Sequence, residues 1–371
     1  MKIRLDLMEG MEALFLSASP AVFCVLTFFR FYSDASFFFA ILFVLHGVFL
    51  YLFFIDKIGF DSKVNVLVVF FVFSGLISAT LGSGSFFGVP QSLACAGYAL
   101  ALLHYNINPS FYKFVYYIFV SFCFFLILQG IDPEGVFLVS RNVVSVFVVL
   151  GSSLYYIACQ NYCKFPSVLP AILGVIVAMW AIGRSGMASA VFFLFYAVFF
   201  TGKRFSTKGF FVFFVLVFLY FVLAGEYFNI LTVGIDRFNT LGIEDVRTLI
   251  NSAYLIRVTS IEWEFFIGGD LGKIYEVISV NGNPHNSYIN LHVNFGIFGF
   301  VVMVFFLFYS VVKLVFLRNF TLLIVLLVCL FRSSFDVTAF YGPLDLIIWY
   351  VVFYAIGFSR VNFGWSMSRG G

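Results

Sequence analysis

Apolar residues run along this chain in unbroken stretches of about twenty, separated by short connections in which the charged residues collect. Stretches of that length match the hydrocarbon core of a bilayer crossed by a helix. The pattern predicts twelve spans, at 11–29, 36–55, 64–80, 86–104, 111–130, 142–158, 167–183, 186–201, 209–227, 287–309, 320–337 and 343–359. The runs are too long and too unalternating for barrel strands. Hydrocarbon offers no partner to backbone N–H and C=O groups, so each run is expected to be an α-helix. The stretch at 86–104 is the weakest, with Pro90 and Gln91 near its start. A miscount there would invert everything downstream.

Composition agrees with the pattern. The 371 residues are 63% hydrophobic and 11% charged, whereas a soluble chain carries about a quarter charged residues. Little is left for a separate soluble domain, and the expectation is an all-α polytopic membrane protein, one integral domain over 1–371. Phenylalanine alone accounts for 57 residues, read as lipid-facing and interhelical filling. The six cysteines show no metal-binding spacing and are expected to be free thiols.

Charge then sets the orientation. Counting alternate connections, one side holds thirteen basic residues in short segments, eight of them Lys, which the positive-inside rule makes cytoplasmic with both termini. Lys2 and Arg4 precede a first span without a small-residue cleavage site, so that span is expected to be retained. The other side holds Arg30, Arg141, Arg184, Arg237, Arg247, Arg257, Lys273 and Arg332. Seven of these eight are Arg, whose planar fork grips phosphate bidentately. Replacement of Lys by drift is the alternative.

One connection is long. Residues 228–286 form an outer loop with seven acidic residues beyond Glu226 and four basic ones. Ordered loops of this length are usually functional. From Asp245 to Phe266, apolar Ile250, Tyr254, Ile261 and Phe265 recur at helical spacing. Arg247 and Arg257 would lie about 80° apart on that helix and could address one ligand together. The Gly268–Lys273 stretch fails the spacing of a phosphate-binding loop and reads as a turn back toward the membrane. Asn281–Tyr288 leads directly into a span. His285 sits at that boundary on the arginine-rich side, and an imidazole there can accept a proton from a hydroxyl near neutral pH. A turn that merely caps the helix is the competing account. His46, His104 and His292 lie in or at the ends of spans and are read as structural. Two acidic pairs are candidates for metal ligands. Glu262 and Glu264 diverge by about 200° on a helix, and Asp132 with Glu134 remains open.

Four short segments resemble the integral-membrane O-antigen polymerase (Wzy-type) and O-antigen ligase superfamily. They are Ser140-Arg-Asn-Val143, Gly183-Arg-Ser-Gly186, Arg257 followed by Ile267-Gly-Gly269, and Pro284-His-Asn-Ser-Tyr288 followed by Phe295-Gly-Ile-Phe-Gly299. Gly183 stands where the family usually has Ser. The likeness covers about residues 140–310; the first 130 match only as generic spans. It implies a GT-C-like, metal-independent, inverting glycosyltransferase without a cofactor. Its donor and acceptor would be oligosaccharides linked to undecaprenyl pyrophosphate, at the periplasmic face of a bacterial inner membrane. His285, Arg257 and Arg184 would be catalytic, and Arg141, Asn142, Arg247 and Asn286 would bind substrate. A polymerase is favoured over a ligase acting on lipid A-core, with a chain-length regulator protein as possible partner and no role for nucleic acid. A lipid-glycan transporter is the reading from another class; it calls for internal repeats or helices broken at the midplane.

Overall fold

A computed structural model describes residues 2–33, 35–58, 62–105, 108–136, 142–181, 183–199, 246–279 and 282–357. The predicted span at 209–227, and Arg141, lie outside the described residues. Every regular element among them is helical: α1 (Lys2–Tyr32), α2 (Ser36–Ile58), α3 (Lys63–Leu81), α4 (Gly88–His104), α5 (Pro109–Leu128), α6 (Asn142–Asn161), α7 (Val168–Trp180), α8 (Arg184–Phe199), α9 (Val246–Ser260), α10 (Glu262–Ile267), α11 (Tyr275–Ile278), α12 (Ser287–Phe316), α13 (Phe320–Ser333) and α14 (Asp345–Ala355). Apart from 209–227, each predicted span falls on one of these helices. Five of them, α2, α3, α5, α6 and α12, are long and apolar enough to cross a membrane. The chain is a helical membrane protein.

Polar residues at the ends of the apolar runs start the helices. Ser62, Asn108 and Asn319 each accept a backbone N–H from the first turn of α3, α5 and α13, and Pro109 opens α5, where its missing N–H costs nothing. The apparently weak stretch at 86–104 is α4, at the centre of the bundle, with 14 of its 17 residues buried. Its small residues explain the low hydropathy. A Cβ on Gly47 of α2 would come within 2.5 Å of Ala94, and one on Gly97 would come within 2.1 Å of the Gly47 carbonyl oxygen. Close backbone approach between membrane helices requires such residues. Pro90 lies in the first turn of α4 and leaves the helix unbroken. Phenylalanines cover both surfaces, in ring-to-ring contacts inside and outward-facing on α2 and α12 (Phe37, Phe49, Phe298, Phe305).

Two connections differ from expectation. The predicted spans 320–337 and 343–359 are shorter helices, joined by a non-helical stretch that enters the bundle. Ala339 and Phe340 are buried there, and Phe340 and Tyr341 have positive φ. The buried Asp345 carboxylate accepts N–H groups from Phe340, Tyr341 and Gly342. Irregular backbone at membrane depth persists only where protein satisfies it in this way. The outer-loop helix predicted across 245–266 is instead two helices, α9 and α10, interrupted at Ile261, whose φ/ψ of −120°/94° is extended. Ile250 and Tyr254 face inward as expected. Ile261 and Phe265 do not; Val258 completes the buried stripe, packing with Ile274, Val277, Ile289 and Val293 into a second small core.

Candidate active site

The outer ends of five helices meet around one guanidinium. Arg332, one residue before the end of α13, has no solvent-exposed surface. Its Nη2 alone makes polar contacts: 3.4 Å to Asp336 Oδ2, and 3.5 Å to both the Asn142 carbonyl oxygen and Ser145 Oγ at the start of α6. Nε and Nη1 are buried without a hydrogen-bond partner. A buried cation with two unsatisfied donors is costly, and such a group normally marks a place that another molecule completes.

Four helix N-termini surround it. Asn142 opens α6. The turn at Gly183 opens α8, and it packs so tightly on α6 that a Cβ on Gly183 would come within 2.9 Å of Asn142 Oδ1 and one on Gly186 within 2.2 Å of Ser145 Oγ. Ser287 opens α12 and ties it to the Arg332 loop: Ser287 Oγ donates to the Asp336 carbonyl oxygen at 2.7 Å and accepts the N–H groups of Thr338 and Ala339. The start of α9 is held by Asn251, whose Oδ1 accepts Asn286 Nδ2 at 3.1 Å, and places Arg247 where its charge bears on Arg332. Helix N-termini carry partial positive charge and free N–H groups, and four of them beside arginines favour an anion.

His285 adjoins this cluster. Its Nδ1 lies 3.8 Å from Asp336 Oδ1, an ion-pair distance that a small ring rotation would convert into a hydrogen bond. Asp336 Oδ1 faces this imidazole while Oδ2 accepts Arg332 Nη2 at 3.4 Å. The carboxylate is therefore fixed between a cation and the candidate base. His285 has φ of +50°, a conformation costly outside glycine, with its N–H held by Asn283 Oδ1 at 2.9 Å. It is not the helix cap. That task falls to Asn286, whose Oδ1 accepts the Tyr288 N–H.

The predicted residues are thus only partly gathered. Asn142, the backbone of Arg184, Arg247, His285 and Asn286 come together. Asn286 spends both ends of its amide on structure, capping α12 and docking α9. Arg257 stands apart, ten residues and about 15 Å along α9 from Arg247. Its Nε donates to Glu264 Oε2 at 2.7 Å and its Nη2 to Oε1, so this guanidinium is engaged within the loop. Arg332 and Asp336 entered the sequence reading only as one outer arginine and an unremarked acid. The signal for them was an Arg inside an apolar stretch followed four residues later by Asp, an ionisable pair at membrane depth. His292 is structural as expected, its ring bridging Tyr254 Oη at 2.6 Å and the Phe265 carbonyl oxygen at 2.9 Å. Asp132 accepts the Glu134 N–H within an exposed 3₁₀ turn, which makes this pair a local turn motif.

Comparison with protein-family models, characterised proteins and solved structures gave no match to this chain.

Proposed function

We propose that this chain is a membrane glycosyltransferase that polymerises a surface polysaccharide such as O-antigen, moving a growing glycan from undecaprenyl pyrophosphate to a hydroxyl of a lipid-linked repeat unit. The observation that carries the reading is the buried Arg332 with its two unpaired nitrogens among four helix N-termini. A pyrophosphate leaving group gains charge as the sugar–phosphate bond breaks, and fixed guanidinium and N–H dipoles away from water stabilise that charge. In this reading Arg332, Arg247 and Arg184 hold the pyrophosphate, with Arg141 in support. His285, oriented by Asp336, accepts the proton of the acceptor hydroxyl while its oxygen attacks the anomeric carbon. Attack opposite the leaving group inverts that carbon. Arg257, engaged by Glu264, serves the outer loop in this scheme. Twelve spans, both termini in the cytoplasm and a site on the periplasmic face of the inner membrane complete the proposal.

Reconstituted protein given a synthetic lipid-pyrophosphate repeat should build a ladder of polymer. His285→Ala and Arg332→Met should each reduce it at least about 100-fold while the protein remains inserted. Full-length polymer from both variants would overturn the reading, and a chelator control tests metal independence. A strain lacking the gene should carry lipopolysaccharide with single capped repeats; accumulation of long lipid-linked chains would indicate a ligase instead.

One observation favours a transporter. Helix α12 is broken at Gly296 (φ 61°, ψ −174°), as transporter helices are at their substrate sites. The break, however, is filled by protein. Ser78 Oγ lies 2.7 Å from the freed Val293 carbonyl oxygen, and a Cβ on Gly296 would come within 2.3 Å of the Phe266 carbonyl oxygen. With those groups seated in the break, the enzyme reading stands ahead.

A further inference from the structure

The outer-loop helix α10 (Glu-Trp-Glu-Phe-Phe-Ile) docks below the ends of two apolar helices. Its last carbonyl oxygen, on Ile267, accepts Ser78 Oγ at 2.7 Å, and Ser78 lies about 5 Å inside the end of α3. Gly268 presses on Val293 of α12, where a Cβ would come within 2.4 Å of the Val293 carbonyl oxygen, and Phe266 meets the break at Gly296. Those positions lie about 9 to 14 Å beyond the first residue of α12. At this level the bundle's outward face is apolar. Trp263 is 57% exposed and Phe266 48%, and Phe266 stacks on Phe298 of α12, itself 64% exposed, with ring centroids 6.4 Å apart. A single aromatic surface therefore passes from a helix able to cross a membrane onto the loop helix.

Of the two acids on this element, Glu264 is neutralised by a neighbour in the same loop. Glu264 is held through both carboxylate oxygens by the Arg257 guanidinium, and Oε2 also accepts the Asp270 N–H at 3.3 Å. The pairing holds the Arg257 pKa above its ordinary value. Bidentate neutralisation is the form in which a carboxylate tolerates a lipid boundary. Large amphipathic rings next to it are the residues enriched at that boundary.

We propose that α10 is a membrane-inserted element of the outer loop, its Trp263 and Phe266 rings packed among the lipid acyl chains of the adjoining leaflet, with the Arg257–Glu264 pair as the device that permits insertion. The proposal is independent of the reaction assigned to the site. It follows from the continuity of the α10 and α12 aromatic faces.

The test uses the full chain in nanodiscs. The Trp263 signal is the difference in fluorescence between the wild type and Trp263→Phe. Lipids brominated on their acyl chains should quench this signal several-fold more strongly than aqueous acrylamide does. Quenching by acrylamide alone would place Trp263 in water and overturn the proposal. Quenching by neither would show the face covered by protein, a second copy or another segment, and would overturn it equally. Arg257→Ala should shift Trp263 emission to the red and open it to acrylamide, and adding Glu264→Gln should reverse the shift. Unchanged emission in Arg257→Ala would remove the ion pair from the proposal.

Discussion

A guanidinium that is fully buried and bonds through one nitrogen distinguishes Arg332 from the other outer arginines among the described residues. Its neighbour Asp336 gives the first prediction. Asp336→Asn removes the anion that Arg332 Nη2 meets at 3.4 Å and leaves that buried cation without its counter-charge, so the Tm of the detergent-solubilised protein should fall by the equivalent of about 3 kcal/mol; an unchanged Tm would remove the pair from the account of the site. Arg332→Lys keeps the charge but not the planar fork, and in the transfer assay it should lower the rate by about 10- to 100-fold; wild-type rates in that variant would argue against bidentate phosphate binding. At this scale the sequence places Asn142 at the start of α6 and His285 just ahead of the Asn286 cap of α12, where the structure has them. It did not show the partner of Arg257: the break at Ile261, hidden in the apolar spacing, brings Glu264 back onto that guanidinium.

Elements show why some boundaries were legible and others were not. Long apolar runs with Ser or Asn at their starts became helices in the expected places, because lipid leaves the backbone no alternative. Breaks within such runs were hidden, since the residues that satisfy freed backbone groups come from elsewhere in the chain. Val293 is accommodated by Ser78 of α3, more than two hundred residues earlier, and the Phe340–Gly342 stretch by Asp345. Phe295-Gly-Ile-Phe-Gly299 looks like small-residue helix packing, yet Gly296 is a left-handed break against which Phe266 seats. Gly296→Ala should therefore cost about 2 kcal/mol or more, from positive φ and from the collision with Phe266. Ser78→Ala should cost about 1 to 3 kcal/mol by removing the single hydroxyl proton that the Ile267 and Val293 carbonyl oxygens share. Both losses are measurable as reduced Tm. A Gly296→Ala protein of unchanged Tm would mean that α12 can run straight and that α10 is not seated on it.

Across the whole molecule polar contacts gather at two ends of the bundle, with others, such as His46 Nδ1 to the Tyr98 hydroxyl at 2.8 Å, midway along their helices. At one end Asn142, Gly183, His285, Arg332 and the outer loop meet. At the other, the Tyr350 hydroxyl donates to Asn161 Oδ1, Asn319 Nδ2 to the Tyr354 hydroxyl, and Tyr155 bonds Ser167. Charge counting divides the same residues in the same way, with the Lys-rich connections on the second end. Labelling decides which residues share a side and which side faces the cytoplasm. Cys163 answers this without engineering. It is the exposed cysteine among six, and it lies in the connection between α6 and α7 at the Lys-rich end. A membrane-impermeant maleimide should label it in inverted vesicles and leave it untouched in right-side-out ones, whereas Lys273→Cys, on the outer loop, should show the opposite pattern. The two positions must respond oppositely if the spans between them are odd in number, which includes the predicted 209–227 span. Labelling of both from one side would remove that span and move the outer loop, with His285, to the face that holds Cys163. The glycan-transfer reading would then lose its access to lipid-linked repeats displayed outside.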